Sequence, residues 1–400
     1  SSDGTSLLLN GTAIGGGGGG ADLYAANESS PSAQPSATGT NAIAIGDSST
    51  ASDNASFAIG SWSTSSGGDS LAMLAATASG YRSIAIGQGA MANSTCASAF
   101  GQGSASNGAR AMAQGALALG GARADGQDSL AAAIANNSSS YGATGANSIA
   151  IGDLAKATGS NGLALGKNSL ASNSGATAIG NASGYTTTAS GFSSFAVGGG
   201  SASGNSAIAI GGSYSTNVHS TAIGQEARAS GRGSLAFNGG TARGYAQIAF
   251  STGQYSSATG QGGIYPFRAS TTDATATTMT TQGILSNGNA TVSTENQLLL
   301  LDESAVTFNG TVVCREDASD GDDYAGWEVK GVIMRGTGAS TTVLGAGIVN
   351  PLYHTSALAN ATVTLSADTT NGCLKIQVTG VASTNLFWNS SIYTSEVVNT

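Results

Sequence analysis

The densest group of charged side chains in this sequence is an acidic segment at residues 316–323, which reads EDASDGDD. Closely spaced carboxylates suit a hard cation such as Ca²⁺, so Asp320, Asp322 and Asp323 are candidate metal ligands. The segment lacks the ligand spacing of an EF-hand and its final glutamate. We favour a solvated hairpin loop here and keep a cation site as the alternative.

Other residues that could support catalysis are sparse. His219 and His354 fall in different regions, and neither has neighbours at a catalytic or zinc-ligand spacing. The glycine run at residues 15–20 lacks the Lys-Ser/Thr that follows in a phosphate-binding loop, so we interpret it as a flexible linker. The sequence therefore predicts no catalytic residue and no cofactor.

Glycan cleavage requires two carboxyl groups within about 5–10 Å of each other. Residues 1–265 contain few acidic residues, and most are isolated at turns, as Asp47, Asp53 and Asp153 are. Convergence across subunits is left open by the sequence, but nothing in it favours a hydrolase. We expect a protein that is not an enzyme.

Composition limits the partners. Of 400 residues, 61 are glycine and only 9% are charged, with a formal net charge of −9. Lys and Arg number 13 and are scattered, whereas phosphate binding requires clustered basic residues. No apolar run reaches the roughly 18 residues of a membrane-spanning helix. We expect neither a nucleic-acid partner nor membrane insertion.

Three cysteines are too few for a disulfide framework. We interpret Cys96, Cys314 and Cys373 as small buried apolar residues. Cys314 and Cys373 both fall in strand-like segments, so a bridge between them is an open alternative.

An internal repeat dominates the first two-thirds of the chain. The phrase AIAIG at residues 42–46 recurs many times, each copy ending in glycine. The repeat glycines are Gly46, Gly60, Gly87, Gly101, Gly152, Gly166, Gly180, Gly198, Gly211 and Gly224. Neighbouring copies are mostly 13 or 14 residues apart, and a longer interval indicates an insertion at residues 184–186. Such a fixed period predicts a solenoid.

Each period translates into two short strands. In AIAIG the isoleucines share one strand face and the alanines the other. The second half of the period alternates, with Lys156 and Arg228 predicted to point outward. Stacked turns of this kind form a parallel β-roll with a thin interior. We predict that its small-residue face is exposed and packs against symmetry mates in a closed oligomer.

At residues 147–159 the sequence NSIAIGDLAKATG resembles the 14-residue head repeat of trimeric autotransporter adhesins. The resemblance extends over roughly residues 40–250. It implies a left-handed parallel β-roll that assembles as a tight homotrimer.

The rest of the chain departs from that family, because the sequence has no heptad stalk and no set of membrane-anchoring strands. The same roll occurs in trimeric bacteriophage tail fibres, and phrases of the C-terminal part resemble those proteins. These phrases lie at residues 267–275, 297–302, 306–315, 327–331, 366–380 and 385–397. The resemblance implies a virion protein, outside the cell, that contacts other tail or baseplate proteins.

The C-terminal part also predicts a fold by itself. Six alternating segments separated by turn signals, including Asn371-Gly372, indicate an antiparallel β-sandwich anchored by Trp327 and Trp388. The predicted divisions are a connector at 1–40, the roll at 41–265, a neck or linker at 266–296 and the sandwich at 297–400.

The sequence thus predicts an all-β homotrimeric tail fibre that attaches to a host-cell surface glycan or protein without covalent chemistry. Residues 184–190 and the exposed tips of the C-terminal part are where specificity is expected to vary. One alternative is a fragment of a bacterial trimeric surface adhesin. A glycan depolymerase is another.

Overall fold

The computed structural model describes residues 7–9, 12–14, 33–101, 108–133, 141–180, 186–251, 258–286, 288–317 and 322–399. These residues form strands and turns, with two short 3-10 turns at Ala339–Thr341 and Ser356–Leu358. The all-β prediction is confirmed. No helix among the described residues is long and apolar enough to cross a membrane. Contacts divide the chain into two compact units, Ser1–Thr187 and Thr188–Thr400.

The first unit is a parallel β-roll preceded by a small antiparallel pair, Leu7–Leu9 with Thr12–Ile14. One wall of the roll is built from what we call the aliphatic strands: Ile43–Ile45, Phe57–Ile59, Leu71–Met73, Ile84–Ile86, Ser98–Phe100, Leu117–Gly120, Leu130–Ala133, Ile149–Ile151, Leu163–Leu165 and Thr177–Ile179. The other wall is built from the short strands: Ser36–Ala37, Thr50–Ala51, Thr64–Ser65, Thr77–Ala78, Met91–Ala92, Arg110–Ala111, Arg123–Ala124, Gly142–Ala143, Lys156–Ala157 and Ser169–Ala171. The predicted two-strand turn and parallel stacking are confirmed.

Register in the roll follows the repeat. Ala58 pairs with Ala72, Ala72 with Ala85, and Ala85 with Ala99, so identical positions stack from coil to coil. Strands that lie between two coils are hydrogen-bonded on both sides, which satisfies the backbone of a chain that has little apolar bulk. The spacing of 13 or 14 residues is therefore the length of one coil.

The interior of the roll consists of small side chains, which corrects the predicted orientation. From the second coil of the first unit onward, the second residue of each aliphatic strand, such as Ala85, is buried, and so is the last residue of each short strand, such as Ala78. The flanking isoleucines point outward and stay partly exposed. A coil of about 14 residues encloses space for methyl and hydroxymethyl groups only, so the larger side chains must lie outside.

Buried serines complete this interior. Ser70, Ser148 and Ser234 each lie just before an aliphatic strand and are almost fully buried. Each hydroxyl donates to the carbonyl oxygen three residues earlier, at 2.6–2.7 Å. A buried hydroxyl without such a partner would cost about 1–3 kcal/mol, so the repeated serine stabilises the turn that precedes the strand.

The repeat glycines mark the turn that follows each aliphatic strand. All ten have positive φ, for example +112° at Gly46 and +128° at Gly152. A Cβ at either position would lie 2.8 Å from the carbonyl carbon of the glycine one coil further on. Both the backbone conformation and the close approach of neighbouring coils thus require glycine. The linker predicted at residues 15–20, and residues 184 and 185 of the predicted insertion, lie outside the described residues.

The second unit continues the same pattern in sequence. Its aliphatic strands are Phe195–Val197, Ile208–Ile210, Thr221–Ile223, Leu235–Phe237 and Ile248–Phe250, and its short strands are Thr187–Ala189, Ser201–Ala202, Tyr214–Ser215, Arg228–Ala229 and Thr241–Ala242. The outward placement predicted for Arg228 is confirmed, since its guanidinium lies over the Tyr214 ring at 4.7 Å.

Eleven further strands follow the last coil. They are β1 (Ala258–Thr271), β2 (Ala276–Thr278), β3 (Ile284–Leu285), β4 (Gly288–Asn289), β5 (Leu298–Leu299), β6 (Ser304–Glu316), β7 (Tyr324–Arg335), β8 (Val343–His354), β9 (Thr362–Asp368), β10 (Cys373–Thr379) and β11 (Leu386–Asn399). All their pairings are antiparallel. The large sheet has the order β1-β11-β6-β7-β8, and Ile248–Phe250 of the roll pairs with its first strand. A smaller sheet joins β2, β10, β5 and β9.

One hydrophobic cluster contains buried residues of both sheets, as the predicted antiparallel sandwich requires. Trp327 and Trp388 anchor it, with ring centroids 5.5 Å apart. The Trp388 indole donates to Thr271 Oγ1 at 2.9 Å. The predicted hairpin at Asn371-Gly372 is confirmed, because β9 and β10 pair on either side of it and Gly372 has a φ of +71°.

The cysteines differ in environment. All three are free, so the alternative of a Cys314–Cys373 bridge is wrong, and Cys96 is exposed rather than buried. Burial raises the pKa of Cys314 to about 11 and that of Cys373 to about 12. Both buried thiols are therefore neutral apolar side chains at pH 7.

Candidate functional site

The outward face of the aliphatic strands is an apolar surface that runs along the roll of the first unit. Because the strands stack in register, their outer side chains form continuous columns, as Ile149 does with Leu163 and Ile151 with Leu165. Ile151 is 41% exposed. Soluble monomers rarely expose apolar patches of more than a few hundred square ångströms, so a surface of this kind marks a contact with another macromolecule.

In the second unit, the outward face of its own aliphatic strands adjoins the large sheet. Ile248 lies opposite Ile264 of β1, and Ile264 lies opposite Tyr393 of β11. Directly paired residues share one face of a sheet, so the outer column of the roll and the outer face of the large sheet form one surface.

The outer face of the large sheet is most apolar at the carboxyl end of β11. Val397 is 59% exposed, and Met334 and Val343 on β7 and β8 are exposed beside it on the same face. Strand β8 is also exposed along most of its length, and no strand among the described residues pairs with its outer edge. A long unpaired apolar edge is a ready template for association.

The amino-terminal end of β11 carries a different surface. A cleft of about 360 Å³ opens there, lined by Arg268, Ile284, Val313, Cys314, Arg315, Phe387, Trp388 and Asn389. Phe387 and Val397 are ten residues apart on one strand, which corresponds to about 33 Å. The cleft and the apolar end of the face are therefore separate surfaces.

Between the roll and the sheet lies a nearly buried polar cluster. Glu396 accepts a hydrogen bond from Gln261 Nε2 at 2.6 Å and forms an ion pair with Arg243 at 3.3 Å. The Tyr265 hydroxyl is nearby, and burial followed by the charge of Glu396 raises its pKa. This cluster contains one carboxylate and fixes the last coil to β1 and β11.

The acidic segment closes the turn between β6 and β7. Glu316 N donates to the Asp323 carbonyl oxygen at 3.0 Å, as expected of a hairpin loop. Asp320 lies outside the described residues, and the described part of the chain contains no group of three or more His, Cys, Asp or Glu residues positioned to hold a metal. The cation site at Asp320, Asp322 and Asp323 stays a prediction.

The two histidines lie in different elements of the structure. His219 lies in a left-handed turn of the roll with φ of +57°, and His354 ends β8 with Nδ1 3.1 Å from the Thr355 carbonyl oxygen. The cleft was not predicted from the sequence, because its lining residues come from four strands that are spread over more than 100 residues of chain. The alternation of Arg315 and Phe387 with apolar neighbours can be seen in the sequence. The sequence does not show that the strands carrying these two residues pair with each other.

Comparison with known proteins identifies the repeat. The family described as "YadA head domain repeat (2 copies)" matches residues 37–63, 75–90, 143–169, 157–183 and 215–237. These segments lie in the roll. No curated protein matches the chain.

Two crystal structures of phage proteins show a weak resemblance. One is the tailspike protein gp49 of Acinetobacter baumannii bacteriophage Fri1, a capsular polysaccharide depolymerase, with 8% identity over 91% of this chain and 70% of that one, at a TM-score of 0.25. The other is the tailspike protein of Acinetobacter baumannii phage AM24, with 10% identity over 88% of this chain and 58% of that one, at a TM-score of 0.18. Similarity at this level supports no inference about activity, so the repeat match is the comparison that bears on this chain: segments of its roll are similar to the YadA head repeat.

Proposed function

We propose that this chain is a homotrimeric bacteriophage tail-fibre protein that attaches the virion to a host-cell surface glycan or protein. The observation that carries the proposal is the outward aliphatic column of the roll. Successive coils repeat a small-residue interior and a mostly apolar outward face. A partner whose surface repeats with the same period would therefore bury the outward residues of many coils at once. A second copy of the chain is such a partner.

Three copies arranged around a closed axis would each bury one aliphatic face without leaving an open end. The large sheet would contribute the apolar end of its outer face to the same contact, since Ile264 and Tyr393 continue the column. In this arrangement the face that packs on symmetry mates carries the large side chains rather than the alanines. Left-handed coiling, and the division into segments 1–40, 41–265, 266–296 and 297–400, belong to the proposal.

The division places Phe267 in the predicted neck. That residue lies within β1 and is buried in the sandwich cluster. The role proposed for residues 266–296 is therefore to lead the chain from the last coil into the C-terminal sheets. Contacts to other tail or baseplate proteins would be made by parts of the chain away from the sandwich.

Location on the virion is tested by immunogold electron microscopy of phage particles that carry this chain, with antibodies against residues 297–400. Gold at tail extremities, with none when preimmune serum is used, is the expected result. Gold on the surface of uninfected bacteria would instead support the bacterial surface adhesin, a candidate favoured by the YadA-type repeats.

Attachment itself is tested with the purified protein, which should bind susceptible cells and reduce phage adsorption. Incubation of the purified protein with surface polysaccharide should release no reducing ends, because the proposed recognition breaks no bond. Release of reducing ends would contradict a purely binding function and support a depolymerase.

A further inference from the structure

We propose that the cleft at the amino-terminal end of β11 binds a sugar unit that bears a carboxylate, such as a uronic acid. This inference rests on the proposed attachment function and specifies the chemistry that the C-terminal sheets would recognise. It is carried by one row of side chains that crosses the outer face of the large sheet.

The row contains one arginine among three aromatic residues. Arg315 of β6 lies directly opposite Phe387 of β11 on one side and Tyr324 of β7 on the other. Directly opposite residues have their Cβ atoms about 4.5–5.5 Å apart, so the Arg315 side chain leaves the sheet between those of Phe387 and Tyr324. Tyr353 of β8 extends the row by stacking on Tyr324, with ring centroids 5.2 Å apart.

These aromatic rings are exposed, although each has a large apolar surface. Phe387 is 48% exposed, Tyr324 50% and Tyr353 55%. Exposed rings in a rigid row offer flat apolar surfaces, and the C–H face of a pyranose is an apolar surface of similar size. Tyrosine hydroxyls at the rim can in addition exchange hydrogen bonds with sugar hydroxyls.

A second arginine gives the cleft its preference for an anion. Arg268 of β1 lies opposite Asn389 of β11. Asn389 is two residues from Phe387 on β11, so both side chains lie on the same face of the sheet. No acidic residue is among the described residues that line the cleft, although the chain as a whole has a net charge of −9. Guanidinium groups bind carboxylates through two parallel hydrogen bonds, and the Asn389 amide can donate to and accept from hydroxyl groups.

The floor of the cleft is rigid. Cys314 and Trp388 alternate with the exposed residues and point into the sandwich, where Trp388 stacks on Trp327 and donates to Thr271. Because the strands that carry Arg315 and Phe387 are held by this packing, little ordering is needed when a ligand binds.

The wall of the cleft is also fixed. Ile284 belongs to the β3–β4 hairpin, and Asn289 of that hairpin accepts from Ser270 N at 2.8 Å and donates to the Ser270 carbonyl oxygen at 2.7 Å. These bonds tie the hairpin to β1 beside Arg268, so this wall of the cleft and its floor are both preformed.

The test is isothermal titration of the full-length protein with trigalacturonic acid and with its fully methyl-esterified counterpart, which has the same rings without the charge. We expect the acid to bind at least about tenfold more tightly than the ester. Arg268→Gln and Arg315→Gln should each weaken binding of the acid about tenfold, and Phe387→Ala should weaken binding of both compounds. Arg228→Gln, which changes an exposed arginine of the roll, is the matched control and should bind like the wild type.

Equal affinity for acid and ester, or unchanged affinity in both cleft arginine variants, would overturn the proposal. So would a change in the oligomeric mass of the arginine variants, because the cleft would then be a subunit contact. Titration and cell attachment are separate measurements. Binding of the acid by a protein that does not attach to cells would support the cleft while contradicting the attachment function, and attachment without binding of the acid would do the reverse.

Discussion

The roll and the C-terminal sheets bury their side chains by opposite arrangements. In the roll the alanines and serines are inside and the large aliphatic residues outside, whereas the sandwich encloses Trp327, Trp388 and Phe267. The roll gains stability mainly from a backbone ladder that repeats in every coil, and the sandwich from burial of apolar area at about 25 cal/mol per Å². The roll therefore leaves much of its apolar area available to a partner, while the sandwich buries much of its own.

The largest effect is expected in the sandwich. Trp388→Ala removes a fully buried ring that packs on Trp327, and it should lower the free energy of unfolding by about 3–5 kcal/mol. Phe387→Ala is the control, because the adjacent side chain points outward and its loss should cost less than about 1 kcal/mol. Chemical denaturation followed by tryptophan fluorescence measures both, and similar losses would contradict the assigned orientation of β11.

In the roll, enlarging an interior side chain should have the next largest effect on the free energy of unfolding. Ala85→Leu places three extra carbons between Ala72 and Ala99 of the neighbouring coils, and overpacking a filled interior costs about 1–3 kcal/mol. Ile84→Leu, on the outward side of the same strand, should change stability by less than about 1 kcal/mol. Thermal unfolding followed by circular dichroism distinguishes the two. Equal tolerance of both substitutions would show that the alanine face is not the interior.

Charge on the outward column should weaken assembly rather than the coil itself. Ile151→Asp replaces a side chain whose burial against another copy would contribute about 1.5–3 kcal/mol, and carboxylates from all copies would meet near the axis. Lys156→Asp on the short-strand wall is the control. Analytical ultracentrifugation over a dilution series should show earlier dissociation for Ile151→Asp only. Equal dissociation of the two variants would place the contact elsewhere.

The smallest effect concerns acid stability of the sandwich. Burial on its own would raise the pKa of the Asp368 carboxyl, but hydrogen bonds donated by Asn371 and Thr370 outweigh it and hold the pKa below its ordinary value. A lowered folded-state pKa contributes stability above the unfolded pKa of about 3.9, and this is lost as pH falls through the folded value. Asp368→Asn should therefore cost less than about 1 kcal/mol at pH 7, since solvent screens the site, and this deficit should shrink as pH falls below about 3.9. A deficit that stayed the same over that acidic range would point to packing instead of charge.

Much of the fold could be predicted from the sequence, because the repeat states the coil length directly and alternation marks the C-terminal strands. Which face of the roll is interior could not be predicted by the usual preference for buried isoleucine, since that preference assumes a core wide enough to hold it. The cleft could not be predicted either. Arg315 and Phe387 are 72 residues apart in sequence, and only the pairing of β6 with β11 brings them together.

In the proposed assembly, the outward aliphatic column is a contact between copies of the chain. Native mass spectrometry of the full-length protein at micromolar concentration tests this most directly. We predict a single species with the mass of three chains of 38.6 kDa each. A species with the mass of one chain, persisting as the concentration is raised, would contradict the account.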